Sequence, residues 1–223
     1  MKNRLISKSY IGFSALYLLI ILLGREDIAW YIKPFLLPIL LYYVYTFDTF
    51  STKNILLTAL TFSWIGDIIM MFADKGEIYF ILGLIVFLIA HLFYIILFNN
   101  QLKTENHKNK LVFIIGIGVI VLYLSTILSL LLPNLAELKI PVIIYAIVIS
   151  TMLLYAFKGS LHWQNPANIS ILLGALVFVS SDSILAINKF YTSLPNASFG
   201  IMITYLAAQF LITSGILCLN KKK

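Results

Sequence analysis

The chain has 223 residues, of which 61% are hydrophobic and 11% charged, and its mean hydropathy is +0.98. A water-soluble domain cannot bury so much apolar sequence, so the composition excludes the soluble classes and predicts a polytopic membrane protein. The net charge is +7, but the basic residues are scattered over predicted loops, which argues against nucleic-acid binding and favours contact with anionic lipid headgroups.

Eight apolar segments are candidates for helices that cross the roughly 30 Å hydrocarbon layer, which takes about 20 residues. No small-residue cleavage site follows the first segment, so we expect it to be an uncleaved span. The second contains Pro34 and Pro38, which predicts a bend or a late start because proline removes a backbone donor. The sequence therefore predicts an all-α, eight-span helical bundle that forms a single integral membrane domain. The predicted spans are 9–23, 28–47, 54–72, 78–98, 110–132, 139–157, 167–187 and 198–219.

The Lys and Arg residues predict the orientation of the bundle, because they accumulate in cytoplasmic loops. With eight spans both termini lie on the same side, and 11 of the 16 basic residues belong to that side. We therefore expect both termini to be cytoplasmic. The 11 residues are Lys2, Arg4, Lys8, Lys53, Lys103, Lys108, Lys110, Lys158, Lys221, Lys222 and Lys223.

Two of the nine acidic residues, Asp67 and Asp182, lie inside predicted spans. A carboxylate in hydrocarbon costs at least several kcal/mol unless it is protonated, paired or faces a polar cavity, so such residues commonly mark substrate or proton paths. A structural alternative is that each aspartate lies near an interface and bonds to local partners. Ser63, one turn before Asp67, and Lys189, seven residues after Asp182, are candidates for these partners.

A weak internal similarity relates the third and fourth spans to the seventh and eighth. SWIGD at 63–67 is similar to FVSSD at 178–182, and FLIAH at 87–91 is similar to YLAAQ at 205–209. Spans four apart run in the same direction, so the similarity predicts two parallel four-helix repeats. Both aspartates would then lie about five residues, or roughly 8 Å, from the non-cytoplasmic ends of their helices.

His91 is the histidine that falls inside a predicted span, about 13 residues or roughly 20 Å from its non-cytoplasmic end. That is nearly two turns deeper than the aspartates, which favours a neutral residue that bridges helices near Tyr94 over a catalytic one. Tyr205 and Gln209 have the same structural alternative, since polar side chains hold membrane helices together. With Cys218 as the single cysteine, the chain has too few ligands for a metal centre, and we expect no cofactor.

Four segments together resemble the YhhN-like lysoplasmalogenase family. They are SWIGDIIM at 63–70, the helix at 83–94 that contains AHLFY, the segment at 174–190 that begins GALVF and contains SDSILA, and TYLAAQ at 204–209. The resemblance covers most of the chain, and its specific motifs lie in spans three, four, seven and eight.

The resemblance implies an integral membrane hydrolase that cleaves the sn-1 vinyl ether bond of lysoplasmalogens to a fatty aldehyde and glycerophosphoethanolamine or glycerophosphocholine. It implies a lysophospholipid substrate among membrane lipids, in a bacterial cytoplasmic membrane, with Asp67 and Asp182 as the leading catalytic candidates. The residues expected to bind substrate or support the site are Ser63, His91, Tyr94, Ser181, Lys189, Tyr205 and Gln209.

Hydrolysis of a vinyl ether needs an acid that protonates its β-carbon and a base that activates water. Asp67 has apolar neighbours in sequence and suits the acid, whereas Asp182 has three nearby serines and suits the base. The reverse assignment stays open. A proton-coupled transporter of small molecules or lipids that uses the same aspartates is the main alternative, followed by a structural or lipid-scaffold protein. Transporters of that kind often have interrupted helices, and neither motif span contains proline.

Overall fold

The structure, a computed structural model, describes residues 2–102 and 110–221. Within these ranges every regular element is helical, so the predicted all-α class is confirmed. Short 3-10 turns lie at Lys33–Phe35, Ala73–Lys75, Leu132–Asn134 and Ala136–Leu138. The α-helices of the described ranges are α1 (Lys2–Leu22), α2 (Glu26–Ile32), α3 (Leu36–Tyr45), α4 (Lys53–Met70), α5 (Glu77–Gln101), α6 (Lys110–Leu131), α7 (Lys139–Ser160), α8 (Ala167–Phe190) and α9 (Ala197–Leu219).

Each of the eight predicted spans corresponds to helix, and the second is divided between α2 and α3. Seven helical segments in the described part of the chain are long and apolar enough to cross a membrane, which makes this an integral membrane protein. α4 is the predicted span that is absent from these seven. Its 18 residues include Lys53, Asn54 and Asp67, which lower its hydropathy. The count of eight spans therefore stays a prediction.

The predicted bend in the second span is present as a break between α2 and α3. Residues Lys33–Phe35 form a 3-10 turn, and Pro38 lies in the first helical turn of α3, where a missing N–H is tolerated. Because Pro38 has no N–H, the Pro34 carbonyl lacks its usual partner four residues later. The Trp64 indole N–H of α4 donates a hydrogen bond to that carbonyl over 2.8 Å, so α4 stabilises the break.

The described chain divides into two compact units. One takes in the described residues up to Leu97 together with those from Asn220 onwards, and the other comprises Phe98–Leu219. In the first unit α3 packs between α1 and α4. α4 approaches α5 at Gly66 and Gly83. A Cβ atom added to Gly66 would lie 2.9 Å from the Phe87 ring, so the glycine permits this close approach.

The second unit is built around α8, which packs most extensively against α9 and also contacts α6 and α7. A Cβ atom added to Gly174 of α8 would lie 2.9 Å from the backbone nitrogen of Ile212. An added Cβ at Gly215 of α9 would lie 3.2 Å from the Ala167 carbonyl oxygen. Glycine on both helices therefore brings the two backbones together, as is common between membrane helices.

The predicted orientation depends on 11 basic residues, and four of them lie outside the described residues. They are Lys103, Lys108, Lys222 and Lys223. The orientation of the termini therefore stays a prediction.

Candidate active site

Asp67 lies on α4, three residues before the helix ends at Met70, and its side chain is buried with 5% exposed. The adjacent Gly66 is buried as well, and Ser63, one turn earlier, is completely buried. The Ser63 hydroxyl has no hydrogen-bond partner among the described residues. Ser63 is therefore not the local hydrogen-bond partner of Asp67 that the sequence predicted.

The contacts between α4 and α5 fix the level of His91 relative to Asp67. Gly66 faces Phe87, and the Met70 side chain fills the space beside Gly83. Phe62 stacks on Phe93 at 5.6 Å between ring centroids. In antiparallel helices with these pairings, His91 lies level with Phe62 or Ser63, about one turn from Asp67 along the axis.

The prediction that His91 lies nearly two turns from the level of Asp67 is therefore wrong. It assumed that the two helices meet the membrane surface at the same level. In the structure Gly83, rather than Glu77 at the start of α5, packs against Met70 at the end of α4. α5 thus begins about six residues, or roughly 9 Å, beyond the end of α4, and His91 is correspondingly closer to Asp67.

His91 and Tyr94, three residues apart on α5, are both completely buried. Tyr94 also interacts electrostatically with the Tyr10 hydroxyl of α1, and Tyr10 interacts with Asp67. A second tyrosine of α1, Tyr17, interacts with Asp67 too. The surroundings of Asp67 in its unit are thus buried and contain phenol groups from α1 that sequence analysis did not identify.

Asp182 lies on α8, eight residues before the helix ends at Phe190, and is partly exposed. The hydroxyl of Tyr145 on α7 donates a hydrogen bond to Asp182 Oδ2 over 2.5 Å. Such a short O–H···O distance is typical of a hydroxyl bound to a carboxylate. The main identified partner of Asp182 is therefore a tyrosine from another helix, which the sequence analysis missed.

A second tyrosine in the surroundings of Asp182 is Tyr123 on α6. Its hydroxyl is 2.7 Å from the Ser183 hydroxyl, and Ser183 donates its own proton to the Val179 carbonyl. Because Ser183 has one proton to donate, Tyr123 is the donor in the bond between them. Tyr123 also interacts electrostatically with Asp182.

The other serines near Asp182 have partners elsewhere. Ser181 is buried and donates to the Ile201 carbonyl of α9 over 3.0 Å, which gives it a role in holding α8 to α9. Ser180 is exposed and donates to the Leu176 carbonyl of its own helix. Lys189 lies in the last turn of α8, seven residues or about 10 Å along the axis from Asp182.

Tyr205 and Gln209 lie one turn apart on α9, and both are buried. The Tyr205 ring packs edge-on against Phe178 of α8, with 5.6 Å between centroids. The ring contact agrees with the structural alternative for Tyr205, in which it joins α8 to α9. The part of both residues in binding substrate stays a prediction.

The predicted site residues therefore form two groups, one in each unit. Asp67, Ser63, His91 and Tyr94 belong to the first unit. Asp182 belongs to the second, and so do the supporting residues Ser181, Lys189, Tyr205 and Gln209. The sequence predicted that each aspartate lies about five residues from its helix end. The separation is three residues for Asp67 and eight for Asp182, so this prediction is wrong.

The tyrosines around the two aspartates had a recognisable signal in the sequence. Tyr123 and Tyr145 each interrupt a long aliphatic run, at VIVLYLS and VIIYAIV. A hydroxyl within an apolar run requires a partner when buried. No group of three or more His, Cys, Asp or Glu residues that could hold a metal ion occurs within residues 2–102 and 110–221.

Comparison with known proteins gives one family and several curated relatives. The model of the YhhN family matches residues 28–216. Lysoplasmalogenase TMEM86B of Homo sapiens is 34% identical over 157 residues, which are 70% of this chain and 60% of that protein. Lysoplasmalogenase TMEM86A of Bos taurus is 29% identical over 171 residues, and TMEM86A of Homo sapiens is 32% identical over 164 residues.

The match to the bovine protein covers 74% of this chain and 65% of that protein. The match to human TMEM86A covers 69% of this chain and 61% of that protein. The chain thus spans less than two thirds of the length of these curated relatives. No solved structure matches the chain.

Proposed function

The chain belongs to the YhhN family, and on that premise we propose that it is a membrane hydrolase that cleaves the sn-1 vinyl ether bond of lysoplasmalogens. The observation that carries the proposal is that the family match includes both Asp67 and Asp182, while the matching curated relatives are named lysoplasmalogenases. The products would be a fatty aldehyde and glycerophosphoethanolamine or glycerophosphocholine.

The reaction needs one proton donor and one proton acceptor. The acid protonates the β-carbon of the vinyl ether, which produces an oxocarbenium ion. Water adds to this cation while it passes a proton to the base, and the product is a hemiacetal. The hemiacetal collapses to the aldehyde as its hydroxyl proton moves to the departing glycerol oxygen, so one water is consumed. Two carboxyls supply both roles without a metal or a cofactor.

The surroundings of the two carboxyls support one assignment of these roles. Asp67 is buried and its neighbours along α4 are mostly apolar, which agrees with its predicted role as the acid. Asp182 is partly exposed and accepts a hydrogen bond from Tyr145, which suits a base that must reach water. α4 and α8 are continuous helices through both aspartates, unlike the interrupted helices of many transporters.

The proposed location follows from the distribution of basic residues. The protein would lie in a bacterial cytoplasmic membrane with both termini in the cytoplasm, because 11 of the 16 Lys and Arg residues fall on that side of the predicted topology. The lysolipid would then enter from the surrounding membrane.

The test of the proposed function is release of fatty aldehyde by the purified protein. We expect release from a lysoplasmalogen and none from a matched saturated alkyl-ether lysolipid, because protonation at carbon requires the double bond. An ester lysolipid should yield no aldehyde. If the folded wild-type protein releases no aldehyde from the lysoplasmalogen, the assignment is refuted.

Asp67→Asn and Asp182→Asn test the roles of the two carboxyls. An amide keeps the shape of the side chain but neither donates the required proton nor accepts one, so each substitution should lower kcat about 10²–10⁴-fold. Asp74→Asn, which changes an exposed aspartate after α4, is the matched control and should keep wild-type kcat. A folded variant with near-normal kcat would assign its aspartate to helix packing.

A further inference from the structure

One hydrogen bond from another helix to the Asp182 carboxyl is identified in the structure. Tyr145 donates to its Oδ2 atom over 2.5 Å, and this contact is between side chains of α7 and α8, which pack on each other in the same unit. A tyrosine hydroxyl has one proton, so this bond commits the donor fully to Asp182.

Two neighbouring hydroxyls donate to acceptors other than Asp182, so they do not replace Tyr145 as its hydrogen-bond donor. Ser183, next to Asp182 in sequence, gives its proton to the Val179 carbonyl over 2.6 Å. Tyr123 gives its proton to Ser183 rather than to the carboxyl. Tyr145 is therefore the one of these three hydroxyls that donates to Asp182.

The geometry of a phenol makes such a bond directional. The Tyr145 hydroxyl is fixed in the plane of a ring that has two rotatable bonds and lies among packed helices. An aspartate without such a donor samples several rotamers, and only some of them present an oxygen to water. Bound through Oδ2, the carboxylate keeps one orientation while it remains partly exposed.

We propose that Tyr145 is a positioning residue whose hydrogen bond to Oδ2 holds the Asp182 carboxyl in the orientation in which it accepts the proton of the water that attacks the substrate. The inference rests on the proposed function, in which Asp182 is the base. It assigns to Tyr145 an effect on turnover rather than on lipid binding, because the hydroxyl acts through Asp182.

The first test is Tyr145→Phe in the aldehyde-release assay. We expect kcat to fall about 10–100-fold while KM changes less than about twofold, since preorganised catalytic groups contribute to the transition state. Tyr155→Phe removes the same hydroxyl from the same helix, ten residues further on, and should keep wild-type kcat and KM. A Tyr145 that only stabilises the fold would lower the melting temperature and leave kcat of the folded protein unchanged.

A second test needs no substrate. Dicyclohexylcarbodiimide, an apolar reagent, reacts with protonated carboxyls, and mass spectrometry locates the adduct on the Asp182 peptide. The Tyr145 hydroxyl occupies Oδ2, so its removal in Tyr145→Phe opens this oxygen to the reagent and should speed the labelling of Asp182 several-fold. Tyr155→Phe should label at the wild-type rate.

The two tests separate the inference from the proposed function. If the wild type releases no aldehyde, the proposed function fails, and faster labelling of Asp182 in Tyr145→Phe still supports the positioning of this carboxyl. If the wild type is active and Tyr145→Phe has unchanged kcat, the inference is overturned whatever the labelling shows. Unchanged labelling in Tyr145→Phe also overturns it.

Discussion

Both aspartates inside the apolar helices have tyrosine hydroxyls from other helices as neighbours. Tyr145 bonds to Asp182, and Tyr10 and Tyr17 interact with Asp67. A neutral donor stabilises a buried carboxyl without a second charge, and burial of a second charge would itself cost several kcal/mol. Carboxyl and phenol groups can each donate and accept protons.

Substitutions of His91 test whether this buried polar residue near Asp67 has a structural role. It lies about one turn from Asp67, so its depth no longer argues for a structural role. Its complete burial among helices is the remaining reason why we expect it to join helices rather than to transfer protons. His91→Gln keeps hydrogen-bonding atoms and should retain kcat within about tenfold, a smaller loss than removal of a general acid or base. His91→Leu leaves its partner unsatisfied and should lower the melting temperature.

Comparison of the two His91 variants distinguishes a structural role from a catalytic one. Loss of turnover in His91→Gln at an unchanged melting temperature would place this histidine in the catalytic group with Asp67. The assays are aldehyde release and thermal unfolding of the same detergent-purified samples.

In the second span, a neighbouring helix supplies a hydrogen bond that a proline removes. Pro38 cannot donate to the Pro34 carbonyl, and the Trp64 indole of α4 takes its place at 2.8 Å. Trp64 is three residues before Asp67, so the same turn of α4 both secures the break and carries the carboxyl. The break therefore contributes to the placement of the candidate site.

Trp64→Phe should measure this contribution. Phenylalanine keeps an aromatic ring but has no N–H, so the Pro34 carbonyl loses its donor, at a cost of about 1–3 kcal/mol in the free energy of unfolding. Trp30→Phe is the control, because the Trp30 indole lies 3.4 Å from the Met71 carbonyl and is more exposed. Equal losses in the two variants, measured by thermal or denaturant unfolding, would show that the Trp64 bond has no special importance.

For the whole molecule, the two compact units contain the helices of the two predicted repeats. Four predicted spans, ending in α5, belong to the first unit, and the other four, α6 to α9, belong to the second. In both units a tyrosine of the first helix interacts with the aspartate of the third predicted span, as Tyr17 does with Asp67 and Tyr123 with Asp182. This shared pattern agrees with a repeat of four spans, and the parallel direction of the two repeats stays a prediction.

The topology of the whole chain can be tested with reporters. Fusions after Asn100 and after Lys75 should give opposite signals, cytoplasmic and non-cytoplasmic respectively, because α5 separates the two positions. An alkaline phosphatase fusion is active outside the cytoplasm and a fluorescent protein inside it. The same signal at both positions would contradict a membrane-spanning α5 and the eight-span prediction.

The sequence by itself determined the class of the protein, the course of its helices and the two central carboxyls. Apolar runs predict membrane helices because each must satisfy its backbone hydrogen bonds internally, and this local rule located every helix to within a few residues, except at the start of α1. Asp67 and Asp182 were identifiable because a carboxyl inside such a run is costly wherever the helix packs.

Only the tertiary structure decided what surrounds those carboxyls. The partners of Asp182 come from α6 and α7, about 40 to 60 residues earlier in the chain, and no local spacing predicts such a contact. The level of His91 likewise depends on how α5 packs against α4 through Gly83 and Met70, not on the position of either helix end. Helix positions follow from local hydropathy, whereas side-chain partners follow from the register between helices, which packing alone sets.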